Sequence, residues 1–327
     1  MRVSKGRPGA RILGFGGYQP AKVVTNDDLA ATVETSDEWI RSRVGIASRR
    51  IADEETVPDM AVIAGGKALA ASGLSPGDVD LVIVATCTPE APIPNVSATV
   101  ARRLGIVAPG AYDLNAACAG FCYALAAAAD SVRAGSATNV LVIGAEKLSQ
   151  WVDWNDRSTC IIFADGAGAA VVGPAEGEGD EPGGSDAVGI GPVVWGSAGD
   201  MADKIAIPDR DGFIFQEGQA VFRWATTALH PVALEACRRA GVDPTELAAF
   251  VPHQANLRII EAIARKIGAP QAIVASDIVT AGNTSSASIP LALSRMIESG
   301  EVPSGARALL IGFGAGICYA AQVITVP

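Results

Sequence analysis

Cys118 is placed where its thiol could act as a nucleophile. It follows an apolar run that ends at Asn115, and it opens a predicted helix over 118–134 made mostly of small and aliphatic residues. The first N–H groups of a helix lack intrahelical partners and lie at the positive end of the helix dipole, which favours the nucleophilic thiolate. The alternative is that Cys118 packs as a small hydrophobic residue without a chemical role.

A histidine and an asparagine lie at comparable places along the chain. His253 follows a predicted strand and precedes a helix, and Asn283 directly precedes another helix. Ligands of α/β proteins bind at such strand ends. The alternatives are a structural histidine and an asparagine that caps its helix. If equivalent junctions converge about a pseudo-twofold axis, then a nucleophile, an imidazole and an amide donor share one pocket.

The chain repeats itself at an offset of 168 residues. Asn115–Gly120 (Asn-Ala-Ala-Cys-Ala-Gly) returns as Asn283–Ser288 (Asn-Thr-Ser-Ser-Ala-Ser), and other segments keep the same spacing. Such a repeat indicates two copies of one fold. The copies differ where chemistry is expected, because Cys118 aligns with a serine and His253 aligns with an alanine.

Apolar runs bounded by glycine alternate with alanine-rich stretches, a pattern typical of α/β layers with buried strands. We predict a duplicated fold with halves at 1–175 and 187–327. Strands are predicted over 10–16, 79–86, 110–115, 138–145, 166–173, 188–196, 247–252, 272–276, 306–312 and 316–325. Helices are predicted over 57–72, 95–104, 118–134, 217–240, 256–267 and 285–299. The acidic, glycine-rich stretch 176–186 is predicted to be a flexible linker.

The first half contains an insertion relative to the second. The run 166–172 matches 314–320 at an offset of 148 residues, so the first half holds about twenty additional residues within 146–165. An insertion in one copy alone is a natural place for a binding function, since both copies already meet the needs of the scaffold.

Composition narrows the functional classes. The chain has 327 residues, of which 49% are hydrophobic, and a net charge of −10, which argues against general nucleic-acid binding. No apolar run reaches the length of a membrane span, so we expect a cytoplasmic protein. Six scattered cysteines and two histidines argue against zinc sites, a disulfide scaffold and a histidine-rich metal site. The glycine-rich segments match neither a dinucleotide fingerprint nor a phosphate-binding loop.

Taken together, the motifs resemble β-ketoacyl-acyl-carrier-protein synthase III, a condensing enzyme of the thiolase superfamily. The matching segments are Thr35–Arg41, Arg43–Ile46, Ala116–Phe121, Asp156–Thr159, Phe163–Gly168, Pro252–Asn256, Gly282–Ser285 and Gly312–Gly316. They occur in order along nearly the whole chain. The resemblance implies a five-layered αβαβα fold with two pseudo-twofold-related halves, and a homodimer.

The resemblance also implies a reaction. Cys118 would accept an acyl group from acyl-CoA, and malonyl-acyl carrier protein would then lose CO₂ and attack the acyl-enzyme. His253 and Asn283 would donate hydrogen bonds to the malonyl thioester oxygen, and the backbone N–H groups of Cys118 and Ala315 would form the oxyanion hole. Ala315 replaces a glycine found in many members. No resident cofactor is implied, since the CoA thioester is a substrate.

Binding residues carry over in the same way. Trp39 and Arg157 resemble the pair that encloses the adenine of CoA, and Arg43 resembles its phosphate partner; an ordinary amphipathic surface helix is the alternative for Trp39. Phe163 and Ile93 are assigned to the acyl pocket, with Ile93 reaching across the dimer. The intermediate bulk of Ile93 is compatible with short or branched acyl groups.

A basic docking patch is expected because carrier protein is acidic. The candidates are Arg223, Arg258, Arg265 and Lys266, and the last three lie on one predicted helix. Solvated surface charge is the alternative. The segment 200–217, which helps to shape the pocket mouth in relatives, is shorter than usual.

Several functions remain open at this point. Fatty-acid initiation and polyketide priming would use the same residues. A non-decarboxylating acyltransferase or thiolase-like enzyme is a second class, and Cys318 is relevant to it because thiolases use a second cysteine near the C-terminal glycine-rich turn. A non-catalytic scaffold subunit is the third, although an intact Cys–His–Asn set argues against it.

Overall fold

The computed structural model of the chain describes residues 7–175, 189–209 and 212–327. The stretch 176–186, predicted to be a flexible linker, lies outside the described residues.

Strands and helices alternate along the described residues. The strands are β1 (Ala10–Tyr18), β2 (Val23–Thr25), β3 (Ser48–Arg50), β4 (Leu81–Ala85), β5 (Gly110–Leu114), β6 (Val140–Lys147), β7 (Asp165–Pro174), β8 (Val194–Ser197), β9 (Ile205–Ala206), β10 (Phe215–Gln216), β11 (Ala249–Pro252), β12 (Ile273–Val274), β13 (Arg307–Gly314) and β14 (Cys318–Thr325). The helices are α1 (Asn26–Ala30), α2 (Asp37–Val44), α3 (Val57–Ser72), α4 (Val96–Arg103), α5 (Gly120–Ala134), α6 (Gly218–Ala240), α7 (Leu257–Ile267), α8 (Ile278–Ala281) and α9 (Ser288–Glu298).

Each predicted strand and helix overlaps an observed one, with two notable corrections. The strand predicted over 188–196 begins only at Val194, and the one predicted over 272–276 spans Ile273–Val274. Helices α5 and α9 each begin a few residues later than predicted, because a 3₁₀ turn precedes them. Short elements such as β9, β10 and α8 were not predicted, since so few residues show no periodicity.

Two five-stranded sheets share one topology. The first has the order β1-β7-β6-β4-β5, and the second has the order β12-β11-β13-β14-β8. At the 168-residue offset β4 and β6 correspond to β11 and β13, and β12 takes beside β11 the place that β5 takes beside β4, so the second order is the first read from the other edge. In both sheets the three corresponding strands are parallel, and the remaining pairs are antiparallel. The duplication inferred from the sequence is therefore present in the structure.

The elements form five layers. Helix α3 packs on the outer face of the first sheet, and α6 packs on the outer face of the second, with α7 against it. Helices α5 and α9 lie between the sheets and contact both of them. Their apolar faces join the largest buried cluster, to which both sheets contribute. None of the described helices is both long enough and apolar enough to cross a membrane.

Glycines on the first sheet let α9 approach closely. A Cβ built on Gly144 of β6 would lie 2.3 Å from the backbone oxygen of Ser286. One built on Gly168 of β7 would lie 2.6 Å from the backbone nitrogen of Leu291. Both contacts are far shorter than van der Waals distance and involve backbone atoms, so a side chain at either position would displace the start of α9 and the Asn283 segment before it.

We expect the Gly144→Ala substitution to lower the free energy of unfolding by roughly 1–3 kcal/mol, because its methyl group overpacks the sheet against α9. Gly66→Ala in α3 is the matched control, since its Cβ would meet only Leu104 Cδ2 at 3.7 Å. There the helix propensity of alanine should raise stability by roughly 0.5–1 kcal/mol. Thermal melting of both variants tests this, and equal melting temperatures would contradict it.

Candidate active site

One cavity brings the three predicted catalytic residues together. It has a volume of about 980 Å³, and Cys118, His253 and Asn283 all line its wall. Cys118 precedes α5, His253 follows β11, and Asn283 precedes α9. The convergence expected from the repeat therefore occurs, and it occurs between the two sheets, where α5 and α9 begin.

The backbone around Cys118 is held in an unusual turn. Cys118 lies in a 3₁₀ turn, Ala117–Ala119, directly before α5. The Ala117 N–H group donates to Asn115 Oδ1 at 3.1 Å, and Ala117 has a left-handed φ of +46°. Ser285, its counterpart in the repeat, has a φ of +51°. Such conformations cost of order 1–3 kcal/mol for residues other than glycine, and they persist only where the surrounding structure enforces them.

The thiol of Cys118 is protonated in the unliganded protein. Burial raises its pKa to about 12, and the hydrogen-bonding contact with the Ser285 side chain opposes this rise in part. The sequence-based expectation that the helix start favours thiolate is therefore wrong for this state, because the cost of burying a charge exceeds the benefit of the helix start. The proton of Cys118 has to leave as the thiol reacts.

The imidazole of His253 is buried and neutral. The backbone N–H group of His253 donates to the backbone oxygen of Ile311 at 2.8 Å, which continues the pairing of β11 with β13. Nδ1 lies 2.7 Å from Ser288 Oγ, and the ring makes an edge contact with Phe313, with 5.3 Å between ring centroids. Burial lowers the pKa of His253 to about 3. It can therefore donate one hydrogen bond from its ring without carrying a charge.

Asn283 is anchored so that its amide group remains available. Its backbone N–H donates to Ile162 O at 3.0 Å and its carbonyl accepts from the Ala164 N–H at 2.9 Å. Its side-chain Oδ1 accepts the Ser285 N–H at 2.8 Å. Because Oδ1 is engaged, the NH₂ group is the end that can donate. Asn283 does not cap α9, whose N-cap residue is Ala287.

The predicted oxyanion residues meet at the cavity wall. Both Cys118 and Ala315 line the cavity. A Cβ on Gly314 would lie 2.6 Å from the Cys118 backbone nitrogen, so the end of β13 passes directly beside the Cys118 turn. The left-handed φ of +103° falls on Gly316, and Ala315 keeps a backbone conformation that tolerates its methyl group. The oxyanion role itself stays a prediction.

A buried carboxylate beside the site was missed by the sequence analysis. Glu146, at the end of β6, is fully buried, and burial raises its pKa. It accepts hydrogen bonds from Thr88 Oγ1 (2.6 Å), Ser286 Oγ (2.8 Å), Thr86 Oγ1, Ser285 Oγ and the Cys87 backbone N–H (each 3.1 Å). The only sequence signal was a glutamate that ends an otherwise apolar strand.

Ser286, which occupies the position of Cys118 in the second copy, is committed to this cluster. Its hydroxyl lies 2.8 Å from Glu146 Oε1 and 2.8 Å from Ala85 O. Both contacts are buried, and the residues contacted, Ala85 of β4 and Glu146 of β6, belong to the first sheet. The repeat therefore carries a nucleophile on one side and a structural hydroxyl on the other.

Comparison with known proteins identifies the family. A model described as 3-oxoacyl-[acyl-carrier-protein (ACP)] synthase III matches residues 112–188, and a model of its C-terminal part matches 237–326. The chain is 56% identical to beta-ketoacyl-[acyl-carrier-protein] synthase III 4 of Streptomyces coelicolor, over 98% of this chain and 99% of that protein. The chain belongs to the 3-oxoacyl-[acyl-carrier-protein] synthase III family.

Solved structures of synthase III enzymes have the same fold. The priming β-ketosynthase of the R1128 polyketide pathway superposes with a TM-score of 0.92 at 43% identity, over 100% of this chain and 98% of that one. The synthase III of Aquifex aeolicus gives 0.90 at 42% identity, over 97% and 100%. The duplicated thiolase-like fold and the condensing-enzyme class implied by the sequence resemblance are confirmed.

The residues of this synthase III that are predicted to bind CoA contact one another, with both arginines packed on the Trp39 ring. The Arg157 guanidinium carbon lies 4.6 Å from the Trp39 ring centroid, and that of Arg43 lies 5.6 Å from it. Arg157 also donates to Glu34 O at 2.8 Å. An adenine between Trp39 and Arg157 would need about 7 Å, twice a van der Waals contact. Arg157 must therefore move before the pair can enclose a ring. Trp39 and Arg43 line the cavity.

The two predicted acyl-pocket residues lie in different places. Phe163 lines the cavity, next to Ile161 and Ile162. Ile93 follows β4 and is 82% exposed, so it does not contribute to the cavity of its own chain. Its predicted position in the pocket of a neighbouring copy stays a prediction. Of the segment 200–217, whose residues 210 and 211 lie outside the described residues, the cavity is lined by Ile205, Ala206, Ile207, Ile214 and Gln216.

The predicted docking residues divide into two pairs. Arg223 and Arg258 line the cavity, and the Arg258 guanidinium lies 5.1 Å from the centre of the Phe222 ring. Arg265 lies 3.9 Å from Glu261, and Lys266 donates to Thr226 O at 2.6 Å. The first pair therefore belongs to the cavity wall, and the second pair makes its contacts elsewhere on α6 and α7.

The raised pKa of Cys118 predicts how its alkylation depends on pH. In the unliganded enzyme the rate of reaction with iodoacetamide should rise about tenfold per pH unit from pH 7 to 10, because only the thiolate reacts. Peptide mass spectrometry separates the Cys118 adduct from those of Cys87 and Cys318, which also line the cavity. A plateau below about pH 9 would show that the pKa of the thiol is not raised.

Proposed function

We propose that the chain catalyses the decarboxylative Claisen condensation of an acyl-CoA with malonyl-acyl carrier protein, giving a 3-ketoacyl-acyl carrier protein at the start of fatty-acid or polyketide synthesis. The observation that carries the proposal is the meeting of Cys118, His253 and Asn283 in one cavity of a synthase III chain. The reaction needs no resident cofactor, because the CoA thioester is itself a substrate.

The first step is acylation. The Cys118 sulfur attacks the carbonyl carbon of the acyl-CoA thioester, and CoA leaves as the thiol that receives the displaced proton. Negative charge develops on the carbonyl oxygen, which the backbone N–H groups of Cys118 and Ala315 would stabilise. Since burial raises the pKa of Cys118 to about 12, the proton is lost in this step rather than beforehand.

The second step is condensation. The malonyl group loses CO₂, and the thioester oxygen becomes an enolate oxygen that accepts hydrogen bonds from His253 and Asn283. The resulting carbanion attacks the acyl-Cys118 carbonyl and releases the thiolate. A neutral His253 suits this role because its ring N–H donates a hydrogen bond but is too weak an acid to protonate the carbanion, as an imidazolium could.

One observation keeps a second candidate in view. Cys318 lines the same cavity as Cys118, and a thiolase-like, non-decarboxylating condensation would use a second thiol to remove a proton from its substrate. Acetyl-carrier protein in place of malonyl-carrier protein separates the two, since only the thiolase-like reaction proceeds without a carboxylate to lose.

Assembly and location complete the proposal. We propose a cytoplasmic homodimer in which Ile93 of each subunit closes the acyl pocket of the other. Ile93 is 82% exposed in the single chain, and Tyr112, on the edge strand β5, is also partly exposed. We further propose that Trp39, Arg43 and Arg157 bind CoA and that Arg223 and Arg258 receive the acidic carrier protein.

The Cys118→Ala variant should accept no acyl group. Intact-protein mass spectrometry after incubation with a panel of acyl-CoAs should show a gain of one acyl group in the wild type and none in the variant, because the nucleophile is gone. Cys318→Ala is the control and should still be acylated. Acylation of Cys118→Ala would assign the nucleophile to another residue.

The His253→Ala variant should retain acylation and lose condensation. Removing a donor to the enolate oxygen should lower the condensation rate about 10²- to 10³-fold, measured as 3-ketoacyl product from malonyl-carrier protein. His230→Ala is the control, since His230 lies within α6 away from the cavity lining. If acylation and condensation fall together in His253→Ala, the division of roles is wrong.

A further inference from the structure

The two ring nitrogens of His253 have different surroundings. Nδ1 lies 2.7 Å from Ser288 Oγ, and both residues are buried, at 2% and 1% exposure. Since the ring also lines the cavity, the opposite edge, which carries Nε2, is the one that a substrate can reach. Which nitrogen carries the proton decides whether that edge donates or accepts a hydrogen bond.

The hydrogen bonds around Ser288 determine the answer. The backbone N–H group of Gln254 donates to Ser288 Oγ at 3.3 Å, so this oxygen already acts as an acceptor. A serine hydroxyl has one hydrogen to donate. Among the described residues Nδ1 of His253 is the acceptor in reach of that hydrogen, at 2.7 Å. Donation to Nδ1 leaves this buried hydrogen paired, whereas a proton on Nδ1 would leave it without an acceptor among the described residues, so we assign the lone pair to Nδ1.

We propose that Ser288 is a positioning residue that fixes His253 as its Nε2–H tautomer. The ring then presents an N–H donor to the cavity throughout the cycle, and its remaining lone pair is occupied by Ser288. His253 is therefore excluded as the base that receives the Cys118 proton. The catalytic meaning of this assignment rests on the proposed function, whereas the tautomer itself does not.

The repeat supports a specialised role for Ser288. Its counterpart at the 168-residue offset is Gly120, and the two are the first residues of α9 and α5. The counterpart of His253 is Ala85. The imidazole and the hydroxyl that contacts it are thus both present in the second copy and both absent from the first, although the scaffold around them is the same.

Nitrogen NMR can read the tautomer directly. The chain has two histidines, so ¹⁵N-histidine labelling gives two ring systems, and the His230→Gln variant identifies that of His253. We expect a pyridine-type Nδ1 and a pyrrole-type Nε2 in the wild type. In Ser288→Ala the two signals should move towards each other as the tautomers mix. A pyrrole-type Nδ1 in the wild type, or an unchanged spectrum in Ser288→Ala, would overturn the proposal.

Kinetics supply the second measurement. Loss of the hydrogen bond that orients a metal-binding imidazole costs about 10- to 100-fold, and we expect a loss of the same order for the imidazole of His253. In Ser288→Ala the ratio of the condensation rate to the acylation rate should fall by that factor, with the KM for malonyl-carrier protein nearly constant. Ser288→Thr keeps the hydroxyl and should recover both the ratio and the NMR signature.

The outcomes separate the two proposals. Equal losses of acylation and condensation in Ser288→Ala, together with a lower melting temperature, would mean a purely structural serine and would overturn the positioning role. A wild type that shows the expected tautomer but forms no 3-ketoacyl product would leave the Ser288 assignment standing and would instead refute the proposed function.

Discussion

The close approach of each half's sheet to the helix start of the other half is the constraint on which the site depends. The turn that contains Ser286 packs directly against Gly144 of β6, where a Cβ would lie 2.3 Å from the backbone oxygen of Ser286. Gly312 occupies the same place in β13, where a Cβ would lie 2.9 Å from Ala119 Cα. Because both contacts involve backbone, the turns that carry Cys118 and Asn283 are fixed by the sheets rather than by adaptable side chains.

On this symmetrical frame, function depends on a few asymmetrical substitutions. Cys118 faces a cavity, whereas Ser286 is bound to Glu146 and Ala85. His253 stands where the first copy has Ala85. Burial then sets the protonation states: it raises the pKa of Cys118 and lowers that of His253. Both groups are therefore neutral at rest, and any charge on either of them develops only as a substrate reacts.

The sequence predicted much of the fold, because long apolar runs and a 168-residue repeat are properties of the chain itself. It also predicted which junctions converge. It could not predict the protonation of Cys118, since burial depends on residues distant in the chain. The Glu146 cluster was missed for the same reason: its donors come from β6's neighbours and from the turn before α9. The closed contact of Arg157 with Trp39 likewise depends on side-chain positions that spacing does not determine.

The buried Glu146 has a consequence for how many working sites the duplicated chain can hold. At the 168-residue offset its counterpart is Gly314, whose missing side chain lets the end of β13 pass directly against the backbone of Cys118. In the first copy the carboxylate fills the corresponding space and engages the hydroxyl of Ser286. Ser286 is therefore covered by the Glu146 side chain, whereas Cys118 lines the cavity. The pair of Glu146 and Gly314 thus adds to the exchanges of Cys118 for Ser286 and of His253 for Ala85, which together leave the nucleophile and the imidazole on one side of the repeat only.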